Sequence, residues 1–326
     1  MNTRPTTLHD VAAVVGVSPR TVSRVVRGEG GCSPDTEQRV RDAVEQLNYR
    51  PNAHARGLIS GRSGTIAFVV PVLSDPFFPE LAEGVQRAAK AEGLTMLFAM
   101  SDHDIEGQRE VLTSLEAHRP DGVVIFPIGD ASELLKPFLD RGMPMVLIDS
   151  SVDHPNAISV RSDLAAGTRL AVRRLVDRGC RRLAMLGNEQ VARTEPRHAT
   201  FLAEAPAGAE PFVADTDLTL EGGRDAMSRL IDEHPGVDGV FCHNDVLAIG
   251  ALQALKAAGR SVPDDVAVIG VNDIHMGTVV SPPLTTLRID RERIGAEAVR
   301  QVVALSNGTD SDDSVLDVEL IVRESA

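Results

Sequence analysis

The sequence predicts three short N-terminal helices, a linker of weak helical character and a larger α/β body of two lobes with parallel sheets. Three helix-start signals, each followed by apolar residues at helical spacing, occur within the first fifty residues. After Gly64, short apolar runs alternate with amphipathic helical stretches, as expected of parallel strands covered by helices on both faces. Because roughly 260 residues of this pattern exceed the needs of one sheet, two lobes are expected.

The first two helices are predicted to form a helix-turn-helix. The run LHDVAAVV is amphipathic, and Gly16 after it can adopt the left-handed conformation that ends a helix. Ser18 and Pro19 then supply an N-cap and a first helical residue for the second helix. A turn of about three residues with a glycine is typical of this motif. The third helix begins at Ser33, and the segment YRPNAHARGLISGRS that follows it is marginal as a helix.

The body contains apolar runs that indicate buried strands, and amphipathic stretches such as PELAEGVQRAAKAEG and DVLAIGALQALKAAG lie between most of them. The predicted strands are TIAFVVPVL, LTMLFAM, DGVVIFPI, MVLIDS, RRLAMLG, DGVFCHND and VAVIGVND.

Charge divides the chain in the same place. Residues 1–62 contain nine arginines and six acidic residues, a net charge of +3, whereas the whole chain carries −14. The remaining 264 residues therefore carry −17. A basic module on an acidic body favours contact with a polyanion through the first part alone.

The second helix has the composition of a DNA-reading helix. If it buries Val22, Val25 and Val26, its opposite face carries arginines that can bind guanine and hydroxyls that can bind phosphates. An ordinary solvated face is the alternative. The residues of this face are Arg20, Thr21, Ser23, Arg24 and Arg27.

Seven motifs along the chain, taken together, are typical of a known protein family. TLHDVAAVVGVSPRTVSRVVRG and CSPDTEQRVRDAVEQLNYRPNAHARGL are followed by VPVLSDPFF, FCHNDVLAIGAL, VPDDVAVIGVND, SPPLTTLRID and ELIVRES. In this order and spacing, over essentially the whole chain, the sequence resembles the LacI/GalR family of bacterial transcription regulators. The resemblance implies a homodimeric repressor that binds double-stranded, pseudo-palindromic operator DNA under the control of a small ligand.

The resemblance also implies a domain organisation. A helix-turn-helix domain is expected over 1–49 and a hinge helix over 50–63. An effector-binding and dimerisation core resembling a periplasmic binding protein is expected over 64–326. Lobe 1 is then about 64–162 with 291–318, and lobe 2 about 163–290 with 319–326.

The resemblance assigns DNA contacts to particular residues. Pro19, Arg20 and Arg24 match the base-reading positions of the recognition helix, and Arg20 is expected to provide most of the discrimination. Leu58 matches a leucine that wedges into the minor groove, with Ala55 and Arg56 as neighbouring contacts. The predicted DNA-binding set is completed by Leu8 and Arg27, and by residues at phosphate-contacting or capping positions: Thr7, Ser18, Thr21, Ser23, Ser33, Thr36 and Asn52.

A ligand site is expected where the strands of both lobes end. Ligands of parallel α/β sheets bind at the carboxyl ends of the strands, and Asp149, Asn244 and Asn272 follow strands of different lobes. Carboxylates, amides and an arginine beside an aromatic ring suit a sugar. Asp75, Phe77, Asp149, Arg197, Asn244 and Asp273 form such a set.

The resemblance supports Asp149, Arg197 and Asn244 as effector positions and places Phe77, Phe78 and Phe126 in the pocket wall. Asn244 and Asp245 are also candidates for helix caps, and Phe78 and Phe126 for core residues. The sequence departs from the family around this pocket, with Thr200 for a glycine and Leu164 for an asparagine. Arg161, Arg197 and Arg291 together would suit a sugar phosphate or a carboxylate.

Other classes of protein are disfavoured. No signal peptide or membrane span is visible, and three cysteines without pairing or metal spacing suit the cytoplasm. The absence of nucleotide-binding and catalytic motifs argues against an enzyme, and no cofactor or metal is predicted. An extracytoplasmic solute-binding protein would lack the DNA-binding module, and a non-specific DNA binder would be basic overall. No C-terminal heptad repeat is seen, which favours a dimer over a tetramer.

Overall fold

The structure, a computed structural model, describes residues 6–29, 31–50, 62–188, 196–206 and 211–326. The chain divides into two compact units, and the boundary between them falls after Gly64. No helix in these ranges is long and apolar enough to cross a membrane.

The first unit is a three-helix bundle. Its core consists mainly of valines, and Leu8, Val26 and Val44 pack around that core. The helices are α1 (Leu8–Val15), α2 (Pro19–Arg27) and α3 (Pro34–Gln46).

The second unit contains two six-stranded sheets, each covered by helices on both faces. The helices within residues 77–140 and 291–307 belong to lobe 1, and those within residues 164–279 belong to lobe 2. The strands are β1 (Thr65–Val70), β2 (Thr95–Met100), β3 (Gly122–Ile125), β4 (Met145–Ile148), β5 (Ala157–Ser162), β6 (Leu183–Gly187), β7 (Phe212–Asp215), β8 (Gly239–Cys242), β9 (Ala267–Val271), β10 (Thr285–Arg288), β11 (Ser314–Leu316) and β12 (Glu319–Ile321). The helices are α4 (Phe77–Ala91), α5 (Ile105–His118), α6 (Ala131–Asp140), α7 (Leu164–Asp177), α8 (Pro196–Glu204), α9 (Leu220–Glu233), α10 (Asp245–Ala257), α11 (Met276–Val279) and α12 (Arg291–Asn307).

The strand orders show how the chain passes between the lobes. Lobe 1 has the order β11-β5-β4-β3-β1-β2, and lobe 2 has β12-β10-β9-β8-β6-β7. The chain therefore changes lobe after β5, after β10 and after β11. All pairs are parallel except β10 with β12, which is antiparallel. The expected parallel architecture is thus confirmed, with a correction at this one strand.

The lobes share an apolar core. One cluster of buried residues contains Phe68 and Leu81 of lobe 1 together with Phe241 and Ile269 of lobe 2. Separate clusters fill the other face of each sheet. The lobes are therefore joined by apolar packing as well as by the three segments of chain that cross between them.

Helices α4 and α12 pack with close backbone contact at two glycines. A Cβ atom on Gly295 would lie 2.6 Å from the carbonyl carbon of Gly84 and from the nitrogen of Val85. These separations are shorter than van der Waals contact, so the helices can approach this closely only without side chains there.

We predict that Gly295→Ala lowers the free energy of unfolding by at least about 1 kcal/mol, because overpacking against backbone atoms outweighs the gain in helix propensity. Urea denaturation measures this difference. Gly277→Ala is the control, since its Cβ would lie 3.5 Å from the nearest atom. Equal effects of the two substitutions would contradict the close approach.

Candidate functional site

Hydroxyl side chains start the second and third helices. Ser18 Oγ accepts a hydrogen bond from Thr21 N at 3.1 Å and lies 2.9 Å from the Thr21 hydroxyl. Ser33 and Thr36 repeat this arrangement at 3.3 and 2.9 Å. Of the two roles left open for Ser18 and Ser33, the structure supports capping.

The first helix starts with a capping box. Thr7 Oγ1 accepts from Asp10 N, while the Thr7 amide donates to Asp10 Oδ2 at 2.7 Å. Leu8, predicted as a DNA contact, is half-buried and packs against the core of the bundle. The structure therefore gives Leu8 a packing role.

Helix α2 separates an apolar face from a cationic one. Val22 and Val25 are buried, whereas the side chain of Arg20 is exposed. Arg24 is half-buried, and its guanidinium lies over Gly31, which has a positive φ of 89°. The helix thus presents Arg20 to solvent and restrains Arg24 against the next turn.

The remaining predicted DNA contacts divide into two groups. Pro19 is the first residue of α2, and the side chains of Pro19, Thr21 and Ser23 are half-buried. The side chain of Arg27 and the residues Asn52, Ala55, Arg56 and Leu58 lie outside the described part of the structure.

In the body, a hydrogen bond joins the two lobes where β1 and β8 end. Asn244 Nδ2 donates to Asp75 Oδ2 at 3.0 Å. Asp75 Oδ1 also accepts from Phe77 N, at the start of α4, and Asn244 Oδ1 accepts from Leu247 N as the N-cap of α10. Asn244 therefore caps α10, which is one of its two candidate roles, and also bonds to lobe 1; its role as an effector contact stays a prediction.

Burial raises the pKa of Asp75 from its ordinary value, and the hydrogen bonds from Phe77 and Asn244 oppose that rise. The carboxylate of Asp75 is buried. Its environment therefore favours polar partners that donate to it.

An aromatic cluster lines the lobe 1 side of the same region. The Phe78 ring lies edge-on to Phe77 and Phe126, with centroid distances of 5.3 and 5.2 Å. Phe77 and Phe78 are buried and Phe126 is half-buried. The three phenylalanines thus act first as core residues of lobe 1.

Arg197 is held by a histidine. This buried arginine donates from Nη1 to the His243 carbonyl at 2.7 Å, and its Nη2 lies 2.8 Å from His243 Nε2. Because a guanidinium only donates, Nε2 must be the acceptor and the neutral ring carries its proton on Nδ1. Burial lowers the pKa of His243, and the nearby Arg197 lowers it further.

A cavity of about 500 Å³ opens where β4 and β5 end. Asp149 and Arg161 border it from lobe 1, and Pro196 borders it from α8 in lobe 2. Asp149, at a positive φ of 51°, accepts from Ser162 N at 2.6 Å. The lining is rich in hydroxyls and carboxylates: Asp130, Ser132, Asp149, Ser150, Ser151, Ser162 and Asp163.

Arg291 has different partners from those expected of an anion site. Its Nη2 lies 2.8 Å from Glu80 Oε2, and its Nη1 donates to the Asn272 carbonyl. Of the three arginines expected to act together, only Arg161 borders the cavity. Within the described residues, the charge of Arg291 is compensated by the carboxylate of α4.

Asp273 lies in an ion-pair cluster. Its carboxylate oxygens contact Arg288 Nε at 2.7 Å and Arg323 Nη2 at 2.5 Å. Burial raises the pKa of Asp273, but the hydrogen bonds from Arg323 and Arg288 lower it by more. These contacts tie β9 to β10 and the C-terminal segment, so the structure gives Asp273 a structural role beside the cleft.

Two buried residues beside the site have roles that the sequence did not predict. His243 orients Arg197. The prediction of Asp245 as a helix cap is wrong, because Asn244 caps α10 and Asp245 instead accepts from Thr286 Oγ1 and Ile274 N. Burial raises the pKa of Asp245 to about 7. The motif FCHND contains both residues, but their partners are distant in the sequence: Arg197 lies on α8, and the pairing of β8, β9 and β10 brings Ile274 and Thr286 to Asp245.

A helix-turn-helix unit and a two-lobed α/β body with a polar interlobe cavity define a class of ligand-binding DNA-associated proteins. Comparisons with known proteins agree. Residues 7–52 match the model of bacterial regulatory proteins of the lacI family, and residues 172–326 match a periplasmic binding protein-like domain.

Relatives and solved structures extend this similarity to nearly the whole chain. The ribose operon repressor of Halalkalibacterium halodurans is 33% identical, over 98% of this chain and 97% of the relative. The lac repressor dimer bound to operator and the anti-inducer ONPF is 27% identical with a TM-score of 0.88, covering 99% of both chains. A complex of the transcriptional regulator CelR with cellobiose is 31% identical with a TM-score of 0.72, covering 99% of this chain and 100% of that one. The chain belongs to the lacI family of bacterial transcription regulators.

We predict that His243 makes the protein less stable in acid. The pKa of His243 in the folded state lies well below the ordinary 6.5. Below pH 6.5 the unfolded chain therefore binds a proton at this histidine, whereas the folded protein does not. Stability is then full above pH 6.5 and falls as the pH drops below it, by up to ~1.4 kcal/mol per pH unit for one proton.

His243→Gln keeps an acceptor for Arg197 but cannot take up a proton. Urea unfolding between pH 7.5 and about 5 should therefore show a shallower loss of stability than in the wild type. His275→Gln replaces an exposed histidine and should leave the slope unchanged. Parallel pH curves for His243→Gln and the wild type would contradict the prediction.

Proposed function

We propose that this regulator is a repressor that binds a pseudo-palindromic operator as a homodimer in the cytoplasm. In this proposal, a sugar or sugar derivative in the interlobe cleft controls operator binding. The observation that carries the proposal is the cavity beyond β4 and β5, which is rich in hydroxyls and carboxylates and bordered by both lobes. A ligand that contacts both walls binds the closed arrangement better, and this difference in affinity can shift a conformational equilibrium.

The chemistry of the cavity favours a neutral polyol over a sugar phosphate. Among the described residues, Asp130, Asp149 and Asp163 border it together with one guanidinium, that of Arg161. Carboxylates accept hydrogen bonds from sugar hydroxyls, whereas three of them beside one cation disfavour a phosphate. The names of similar proteins agree, since they refer to ribose and cellobiose.

The DNA-binding proposal rests on helix α2. Its solvent-exposed Arg20 and restrained Arg24 can donate to guanine in a major groove, and its hydroxyl caps keep the helix start in place. Leu58, outside the described residues, is proposed as the minor-groove wedge that the resemblance implies.

A homodimer is supported by the edge of the lobe 1 sheet. Strand β2 is the last strand of that sheet, and Phe98 and Met100 on it are 41% and 38% exposed. An exposed apolar edge strand is a liability unless another chain covers it. The similar lac repressor is a dimer on its operator.

We predict that Arg20→Ala weakens binding to an operator selected in vitro from random duplexes by about 1–3 kcal/mol, with relaxed preference at one base pair per half-site. Fluorescence anisotropy at fixed salt measures this, and titration at high concentration should give two chains per duplex. Arg41→Ala removes an exposed arginine of α3 that pairs with Glu37 and should cost much less. If Arg20→Ala binds the selected operator like the wild type, the reading role of Arg20 is wrong.

A second prediction concerns the ligand. A panel containing ribose, cellobiose and lactose should include a sugar that raises the melting temperature, since a ligand at 100 times its Kd adds ~2.7 kcal/mol. Arg161→Ala removes the guanidinium that borders the cavity, so it should abolish this shift and the ligand-induced change in operator affinity while operator binding itself persists. Arg229→Ala, on the exposed side of α9, should retain both responses. A response that survives in Arg161→Ala would place the ligand outside this cavity.

A further inference from the structure

Lobe 2 carries a concentrated positive surface in an otherwise acidic body. The segment 164–182 contains six arginines and one aspartate, Asp177, whereas residues 63–326 together carry −17. Five of these arginines are half-buried or exposed and have no carboxylate within ion-pair distance among the described residues. We call this set the α7 basic surface: Arg169, Arg173, Arg178, Arg181 and Arg182.

Several other arginines of the body are paired with carboxylates. Arg87, Arg141, Arg288 and Arg300, among others, each lie within 4 Å of a carboxylate. In a chain with an excess of acidic residues, arginines without such partners leave a local positive potential. The sixth arginine of the segment, Arg174, donates instead to the backbone oxygen of Ala326.

The end of the basic surface is held in place by a dedicated carboxylate. Asp238 Oδ1 accepts from the backbone nitrogens of Arg181 and Arg182 at 2.9 and 2.8 Å. The Arg182 guanidinium lies over Gly236, where a Cβ would come within 1.7 Å of Nη1. The chain therefore fixes the backbone of the arginine pair and leaves room for one guanidinium.

A second cavity, of about 610 Å³, adjoins this arginine pair. Leu183, Leu230 and Val237 contribute apolar walls, and the rings of Phe212 and His234 lie against each other at an angle of 39°, with centroids 4.5 Å apart. Glu233 also borders the cavity and is the one carboxylate among its described lining residues. A bulky apolar side chain fits such a cavity, and the arginines fit acidic groups around it.

We propose that the α7 basic surface and its cavity form a docking site for an acidic protein segment that inserts one aromatic or large aliphatic side chain. An anchor residue in a pocket with charged contacts around it is the usual anatomy of a protein interface. Exposed leucines favour a protein over a nucleic acid, since they gain little from a phosphate backbone. Leu170 on α7 is 39% exposed and Leu202 on the adjoining α8 is 42% exposed.

The test uses the full-length protein and a fluorescein-labelled short peptide of glutamates and aspartates with one central phenylalanine. The wild type should bind the peptide saturably, and added salt should weaken binding because the contacts are between exposed charges. A peptide with alanine in place of phenylalanine should bind about tenfold more weakly, since it loses its anchor in the cavity.

Arg173→Glu/Arg178→Glu should weaken peptide binding at least about tenfold. Arg119→Glu, which reverses an exposed arginine of lobe 1 without an ion pair among the described residues, should leave binding unchanged. If the reversed variant melts early, Arg173→Ala/Arg178→Ala replaces it, with a loss of about threefold to tenfold. Binding of the selected operator by these variants should match the wild type, which separates this surface from the DNA-binding function.

Three results would overturn the proposal. The first is absence of saturable binding of the phenylalanine peptide, or equal binding of the alanine peptide. The second is displacement of the peptide by random duplex DNA from a variant with Arg20→Ala, which would assign the surface to nucleic acid. The third is self-association of the wild type that the arginine reversals abolish in sedimentation, which would assign the surface to a second copy of this chain.

Discussion

The hydrogen bond from Asn244 to Asp75 connects the two lobes at the point where their strands end, and the arrangement of the cleft depends on it. Each partner also starts a helix of its own lobe: Asp75 binds the first amide of α4, and Asn244 caps α10. The bond therefore couples two helix termini rather than two mobile side chains. Both residues are buried, and an unsatisfied buried polar group costs about 1–3 kcal/mol. An opening of the lobes must supply new partners for both.

Arg291 provides a second connection between the lobes, through a positively charged side chain. It is the first residue of α12, which packs on α4, and it reaches both Glu80 of α4 and the carbonyl of Asn272 after β9. The positive φ of Asn272, 109°, turns that carbonyl out of the regular strand path. The crossing from β10 to α12 thus carries its own polar clamp. The proposed effector would therefore act on lobes that two sets of contacts already hold together.

The sequence predicted those parts of the fold that local patterns determine. The three caps of the first unit and the buried strands β1, β3, β4, β6, β8 and β9 follow from spacing and apolar runs. The strands β5, β7 and β10 to β12 were not predicted from the sequence. The sequences of β5 (AISVRS) and β10 (TTLR) are short and partly polar, and β11 and β12 have only three residues each. Their strand character comes from pairing with neighbours that are distant in the sequence. The site shows the same limit: Asn244 is recognisable at a strand end, but its bond to Asp75 spans 169 positions.

The charge of each surface decides which kind of ligand that surface can bind. The cleft cavity carries three carboxylates beside one arginine, while helix α2 and the α7 basic surface present arginines to solvent. Within one acidic chain, a polyanion is repelled from most of the body and attracted only where guanidinium groups lack carboxylate partners. The neutral hydroxylated ligand proposed for the cleft would experience little of this field, and hydrogen bonds would select it. The proposed uncharged effector and anionic macromolecules would therefore bind without competition, because ion pairing compensates the charge of arginines such as Arg291 that would otherwise draw anions into the cleft.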